Sequence, residues 1–348
     1  MLARFTEQLR AATPLTDVQV ADAIAHLVNE TISAETKADF LTALAQKGET
    51  TEEIAAFARE LRARSLPAPL EADTRAGEIL DVCGTGGDRL NTFNISTTVA
   101  LVAAAAGVMV AKHGNRAITS QAGSADVLEA LGIRIDLSPA EAARALREHH
   151  FAFFFAPRFH PAFQHLAPAR KLCAARGQRT IFNFLGPLLN PARPSAQLVG
   201  VPRPELCEPV ARVLQALGVR RAMVVSGCVD HSPAWLDELS TLGANTVAEF
   251  YQDRGFHQGV LAPENFPLQP ATLADLAGGD RAANAVIVRR LLAGEERGPK
   301  RDAVLLNAAA ALFIAGASRS LTDGWELAAT VIDDGRARKK LEELASAR

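Results

Sequence analysis

The stretch Ile79-Leu80-Asp81-Val82-Cys83-Gly84-Thr85-Gly86-Gly87-Asp88, followed within a few residues by Asn94-Ile95-Ser96-Thr97, decides the reading of this chain. A short apolar run leads into a glycine-rich loop and then a helix start, the pattern of a buried strand feeding an α/β unit. Glycines let the backbone approach a ligand closely, and successive N–H groups can form an anion-binding nest. The N–H groups and dipole of the following helix add to that attraction. Side by side, the two devices describe a cradle for a phosphate or diphosphate. Alone, the loop reads equally as a plain turn. A dinucleotide fingerprint is excluded, because Arg89 stands where its third glycine belongs and the region about twenty positions on is apolar. A P-loop is excluded because Gly-Lys-Ser/Thr never occurs.

Downstream, a helix over 94–106 ends at Gly107, and 108–111 reads as the next buried strand. That strand runs into Lys112-His113-Gly114-Asn115-Arg116. In an open parallel sheet ligands bind beyond the carboxyl ends of the strands, so this loop is expected beside the first. Lys112 and Arg116 bring positive charge, Gly114 permits close approach, and Thr119, Ser120 and Ser124 offer hydroxyls before a helix over 125–131. The plainer alternative is a solvated loop with a capping serine. Further strands are expected at 133–135, 151–155, 197–201 and 222–225, with a capping-box helix start at Ser138-Pro139-Ala140-Glu141. Alternating strands and helices imply a mainly parallel sheet covered on both faces.

Beyond 222–225 stands Asp237-Glu238, an acidic pair between apolar residues. Two carboxylates near a polyphosphate suit Mg²⁺, a hard cation that prefers oxygen ligands and bridges through substrate phosphates. As residue chemistry alone, the pair reads equally as surface acid, which is how Glu52-Glu53, Glu295-Glu296 and Asp333-Asp334 are read.

Upstream, residues to about 65 read as helices only, with starts at Thr16-Asp17, Ser33 and Thr51 and apolar residues at helical spacing. Leu66-Pro67-Ala68-Pro69-Leu70 reads as a linker. A helical stretch over 158–176 interrupts the α/β alternation, so the helical domain is expected to be built from discontinuous pieces. Arg158, His160, His165, Arg170 and Lys171 make it basic, and an arginine there can hold a carboxylate bidentately. Its cations read equally as ordinary surface charge. The tail from Asp302 is again helical.

Composition bounds the function. At 348 residues, about two domains are expected, and roughly three quarters of the chain's surface can be buried on folding. The net charge of −2, from 37 basic and 39 acidic residues, supplies no global field for nucleic acid or an anionic membrane. Four cysteines without a CxxC pair read as reduced thiols. The opening Met1-Leu2-Ala3-Arg4 does not lead into an apolar signal segment. The longest apolar run, 99–111, is broken by Gly107 and too short to span a bilayer. A cytoplasmic protein is expected.

Taken in order, Gly84 to Asp88, Thr92 to Thr97, Lys112 to Arg116, Gly123-Ser124-Ala125-Asp126, His160-Pro161-Ala162, Arg179 to Asn183, Gly186 to Pro191 and Asp237-Glu238 resemble the anthranilate phosphoribosyltransferase family. Each motif is weak singly; the ordered set is specific and spans nearly the whole chain. The resemblance implies an α/β fold of the class III phosphoribosyltransferase kind, similar to pyrimidine nucleoside phosphorylase. A small all-helical domain (1–70 with part of 158–192) joins a larger domain (76–157 and 193–348), usually in a homodimer. It implies transfer of phosphoribosyl from phosphoribosyl diphosphate (PRPP) to the amine of anthranilate, in tryptophan biosynthesis. The implied PRPP positions are Gly84, Gly87, Asp88, Thr92, Asn94, Ile95, Ser96, Thr97, Lys112, His113, Gly114, Asn115, Arg116, Ala117, Ile118, Thr119, Ser120 and Ser124. Gly84, Asn115 and Arg170 match anthranilate contacts, with His113 and His160 lining its channel; Ser96, Asp237 and Glu238 match the Mg²⁺ positions. No enzymic nucleophile is implied.

The chain departs from the family pattern at Arg89 (commonly glycine), at Ala122 (frequently serine) and in a longer connection over 228–235. A pyrimidine-nucleoside phosphorylase and a non-catalytic nucleic-acid-binding relative remain as alternatives.

Overall fold

A computed structural model describes residues 1–117, 121–252 and 255–347. Its centre is an eight-stranded sheet of β1 (Ile79–Gly84), β2 (Met109–Gly114), β3 (Phe151–Phe155), β4 (Ala196–Gly200), β5 (Arg221–Cys228), β6 (Trp235–Leu236), β7 (Asn245–Tyr251) and β8 (Gly255–Leu261). The order is β3-β2-β1-β4-β5-β7-β8, with β6 pairing on β5. From β3 to β5 every pairing is parallel, and β6, β7 and β8 are antiparallel additions. The chain winds outward from β1 through β2 to β3, then returns to the other side of β1 as β4. That reversal puts a topological switch point between β1 and β4, where a crevice opens beyond the strand tips.

Alternation along the strands splits the core between the two faces. Leu80, Val82, Val110, Leu198 and Val225 pack with the helices Ile95–Ala105 and Pro299–Ile314. Cys83, Val199, Ala222 and Val224 pack on the other face, in a core shared with the helix Cys207–Ala216 and the N-terminal bundle. Both faces are apolar because parallel strands carry helices on each side.

The N-terminal helices are Leu2–Arg10, Asp17–Leu27, Ala34–Lys47 and Thr51–Ala63, and Thr16, Ser33 and Thr50 cap the last three through their side chains. Thr50 and Glu53 form a reciprocal capping box. Glu53 is not the surface acid expected from its sequence. It is buried, accepts from the Leu15 and Thr50 N–H groups, and meets Lys47 Nζ at 2.6 Å. The later stretch at 156–175 is a short helix, a 3-10 turn and the helix Ala167–Ala175. It returns to the bundle: Lys37 Nζ donates to His165 O at 2.9 Å and Cys173 Sγ to Ala38 O at 3.6 Å.

The structure corrects one expected strand and adds a hairpin that the sequence does not announce. Residues 133–135 form no strand; after the left-handed Gly132, Ile133 and Ile135 pack as apolar coil. The β7–β8 hairpin was not expected, because β8 is largely exposed and lacks an apolar stripe. All four cysteines are free thiols, and among the described residues no helix is long and apolar enough to cross a membrane.

Candidate active site

The tips of β1 and β4 end on paired glycines, Gly84 opposite Gly200. The chain after β6 crosses directly over them. A Cβ on Gly200 would collide with the Asp237 carbonyl, and one on Gly84 would lie 2.9 Å from the same oxygen. At β5, a Cβ on Gly227 would meet Glu238 O at 2.6 Å. Three strand tips without side chains therefore form the floor on which Asp237-Glu238 lies. The connection over 228–235 forms a hairpin, with Cys228 opposite Trp235 and Gly227 opposite Leu236, and β6 delivers Asp237 immediately afterwards.

Side chains lock this crossing segment. Asn307, fully buried in the helix Pro299–Ile314, accepts from the Leu239 N–H at 2.9 Å and donates to Leu239 O at 2.8 Å. Asn245 accepts from the Ser240 N–H at 2.6 Å and donates to Ser240 O at 3.0 Å.

Both acidic side chains turn into the crevice and are only 8% and 9% exposed. Asp237 Oδ2 accepts from the Gly86 N–H at 2.6 Å, and Glu238 Oε1 from the Ser96 N–H at 3.2 Å. The expected amide cradle is thus partly used by the protein's own carboxylates. Burial, then the charges of Asp88 and Glu238, holds the Asp237 carboxyl well above the usual carboxylate range. Burial pushes Glu238 to about 7, partly offset by Lys112. Gathered carboxylates of this kind carry excess negative charge that a hard divalent cation relieves. Among the described residues no set of three or more His, Cys, Asp or Glu gathers to hold a metal, so the two carboxylates would leave most positions of such a cation to other oxygen ligands.

Lys112 is the buried cation of the site, 1% exposed. Its Nζ donates to Val82 O at 2.6 Å and lies 3.4 Å from Ser96 Oγ. Beneath it, Asp81 accepts from the His113 N–H at 3.2 Å and from Asn190 Nδ2 at 2.9 Å. Burial raises Asp81 to about 6, with Lys112 opposing.

The two expected loops are neighbours. Asn94 caps no amide with its side chain; Nδ2 donates to Ala122 O at 3.3 Å, and Oδ1 accepts from Asn284 Nδ2 at 2.9 Å. Thr92 bridges Ala277 in antiparallel fashion, which fixes the approach to the helix containing Ile95, Ser96 and Thr97. A Cβ on Gly114 would strike Ser124 Oγ and Phe153, and Ser124 Oγ donates to Asn115 O at 3.4 Å. Ala117 N–H donates to Asp126 at 2.9 Å. Arg116 is engaged elsewhere: its guanidinium pairs with Asp126 and Glu129 at 3.0 Å. Arg89 is held in the left-handed region that favours glycine, at φ 60°. Gly87 and Asp88 complete the first loop, while Ile118, Thr119 and Ser120 lie outside the described residues.

A second group leads away from the tip of β2. His113 Nδ1 lies 3.2 Å from Gly186 O, and its ring is 5.2 Å from that of His160. His160 stacks on Phe163 at 5.0 Å, Phe163 meets Phe182 edge-on at 5.9 Å, and Arg170 lies over Phe182 at 5.4 Å. Burial brings His113 to about 3 and His160 to about 4, so both rings are neutral, and among the described residues neither Nε2 has a partner. Burial also lowers Arg170. The result is an aromatic-walled lane with a guanidinium along it. A separate cavity of about 270 Å³, lined by Arg134, Glu141 and His149 beside β3, contributes none of these residues.

Asp81, Asn190, Gly200, Asn284 and Asn307 carry no site role in the sequence reading. Asp81 leaves one signal, a carboxylate inside an apolar strand, and Asn190 lies within the quoted stretch Gly186 to Pro191; the partners of the asparagines are remote in sequence and leave no local trace.

Residues 76–338 match the family described as "Glycosyl transferase family, a/b domain", and residues 3–65 match "Glycosyl transferase family, helical bundle domain". Fold and crevice thus place the chain in the glycosyl transferase class. It is 47% identical over 335 residues to "Anthranilate phosphoribosyltransferase 2" of Streptomyces coelicolor, covering 96% of each chain. The anthranilate phosphoribosyltransferase structure from Thermus thermophilus superposes with a TM-score of 0.87 at 42% identity, covering 98% of both chains. The Saccharomyces cerevisiae enzyme, solved in complex with PRPP and Mg, gives 0.87 at 28% identity over 99% of this chain and 98% of that one. The same yeast enzyme has also been solved with 4-fluoroanthranilate. This chain belongs to the anthranilate phosphoribosyltransferase family.

Proposed function

We propose that this protein transfers the 5-phosphoribosyl group of PRPP to the amine of anthranilate, releasing diphosphate in a Mg²⁺-dependent reaction. The crossing of Asp237-Glu238 over the bare tips of β1 and β4, beside Lys112 and Ser96, carries the reading. It joins phosphate-directed charge and metal-directed carboxylates in one crevice. The yeast relative's complex with PRPP and Mg supports it.

Breaking the bond from ribose C1 to diphosphate develops positive charge on the sugar and negative charge on the leaving group. Mg²⁺, when bound, supplies electrostatic stabilisation for that leaving charge. Asp237, Glu238 and Ser96 would hold it. The Gly86 and Ser96 amides fix the two carboxylates, and Asn307 fixes the backbone behind them. Lys112, tethered to Val82 O, brings positive charge to the donor site. Gly84, Gly87, Asp88, Thr92, Asn94, Thr97, Asn115 and Ser124 complete the surroundings of PRPP.

Arg170 would clamp the anthranilate carboxylate, assisted by Asn115 and Gly84. Neutral His113 and His160 line the approach with flat surfaces. The yeast relative's complex with 4-fluoroanthranilate supports an anthranilate-type acceptor. Because C1 becomes strongly electrophilic, the weakly basic arylamine suffices as nucleophile. Positioning therefore does much of the work, and neither a covalent intermediate nor a dedicated base is assigned.

We assign residues 1–70 with part of 158–192 to a helical domain and 76–157 with 193–348 to the PRPP-binding domain. The contacts of Ala167–Ala175 with the bundle support that division. A cytoplasmic homodimer without nucleic-acid or membrane partners is the state we propose. The deciding experiment follows anthranilate fluorescence on adding PRPP and Mg²⁺, with and without chelator. Fluorescence should fall only with free Mg²⁺ present; no loss under any condition would refute the assignment.

A further inference from the structure

Three arginines meet where the helical bundle joins the sheet. Arg62 stands in the last turn of the helix Thr51–Ala63, and Arg75 in the short helix Ala72–Ala76 that leads into β1. Arg193 lies in the stretch that leads into β4. The trio thus spans the bundle and two of the chain's entries into the sheet.

Arg75 Nη1 donates to the carbonyl of Ala192, the residue before Arg193. The charges of Arg75 and Arg193 both act on Arg62, and that of Arg193 acts on Arg75, with no carboxylate opposing either effect. Among the described residues neither Arg62 nor Arg193 has an ion pair or a side-chain hydrogen bond, and Arg62 Nε is closed off from solvent without an acceptor. The arginines nearby in sequence differ: Arg59 pairs with Asp17 and Arg64 with Glu60. Arg193 is also held in the left-handed region, at φ 49°, which favours glycine.

Like charges gathered without an acid repel one another, and a buried guanidinium N–H without an acceptor is unfavourable. One tetrahedral oxyanion relieves both, because guanidinium forks match its oxygens in geometry and charge.

We propose that Arg62, Arg75 and Arg193 form a binding site for a phosphoryl oxyanion at the junction of the two domains, separate from the strand-tip crevice. The bound anion ties the last turn of the bundle's fourth helix to the segments entering β1 and β4, and so steadies the bundle against the sheet. Free inorganic phosphate and the diphosphate released at the crevice share the required chemistry. The proposal stands independently of the function assigned above.

The test measures the thermal midpoint of the full chain in sodium phosphate, sodium diphosphate and sodium chloride at matched ionic strength. The wild type is compared with Arg62→Gln/Arg193→Gln. Phosphoryl anions should raise the wild-type midpoint above its chloride value and raise that of the double variant less. Calorimetric titration with inorganic phosphate should show binding weakened by about tenfold or more in the variant. A response to phosphate identifies the free ion as sufficient; a response to diphosphate alone points to the reaction product. Identical shifts and isotherms in wild type and variant would overturn the proposal, as would equal effects of all three salts. If the double variant does not fold, the single exposed substitution Arg193→Gln provides the same comparison.

Discussion

Asn307 holds Leu239 by both of its backbone polar groups, at 2.9 Å to the N–H and 2.8 Å from the carbonyl. A side chain deep in a C-terminal helix therefore fixes the segment that carries Asp237 and Glu238. Replacing it by leucine leaves two buried backbone groups unpaired, at about 1–3 kcal/mol each. Asn307→Leu should lower the thermal midpoint and raise the Mg²⁺ concentration for half-maximal activity several-fold. A loss of stability with an unchanged Mg²⁺ response would show that the segment keeps its place without the clamp.

Gly200 makes a sharper test, because its φ is not left-handed and the obstacle to a side chain is the peptide joining Asp237 to Glu238, its carbonyl above all. Gly200→Ala must displace that carbonyl, and the carboxylates move with it. Activity should fall by about two orders of magnitude or more, as expected for ångström-scale misplacement of catalytic groups. Circular dichroism should remain that of the folded chain. An active Gly200→Ala enzyme would separate the crossing segment from the chemistry.

Arg170 lies 5.4 Å from the Phe182 ring centre, with its cation poorly solvated. Loss of a charged hydrogen bond is worth about 1.5–3 kcal/mol, or roughly 10- to 100-fold. Arg170→Ala should raise the anthranilate KM by that factor and leave the PRPP KM nearly unchanged. Arg170→Lys should recover little, since lysine cannot make the paired contact. Steady-state kinetics with each substrate varied in turn checks both statements.

His113 and His160 give a pH dependence whose sign is fixed. Burial is the main cause that depresses them, to about 3 and about 4, against about 6.5 in an unfolded chain. Between pH 6.5 and 4 the unfolded state binds protons at these two rings that the folded state refuses, so their contribution to stability falls as pH falls. The slope is about 1.4 kcal/mol per pH unit for each ring, and neither contributes above about pH 7. The raised carboxyls of Asp81, Asp237 and Glu238 act in the opposite direction over the same range, so the test is a difference: relative to wild type, the urea midpoint of His160→Phe should improve from pH 7.5 to 5.5 to 4.5. A wild-type-to-variant difference that stays constant across the three pH values would remove His160 from the pH dependence.

The chain's own residues state much of this design. Apolar runs alternating with helix starts specify a parallel sheet, since strands buried on both faces carry no polar stripe. The glycine loop, the lysine-containing tip of β2 and the acidic pair are legible because each combines unusual residue types within a few positions. The β7–β8 hairpin is not legible, because an exposed edge strand has no burial pattern to display. Residues 133–135 mislead for the opposite reason, since their apolar side chains are buried in coil.

What local sequence determined, then, is the class of fold and the chemical types at the site, both set by patterns spanning at most a turn or a strand. Tertiary structure alone decided how these parts meet: Asp237 over Gly200, Asn307 on Leu239, Asp81 under Lys112 and Asn190, and Arg116 turned to Asp126 and Glu129 instead of the crevice. Each such pairing depends on a crossover that reverses strand order or on a distant helix. Hydrogen-bond partners chosen at that range leave no periodic trace in the chain, because only three-dimensional packing brings a donor to its acceptor.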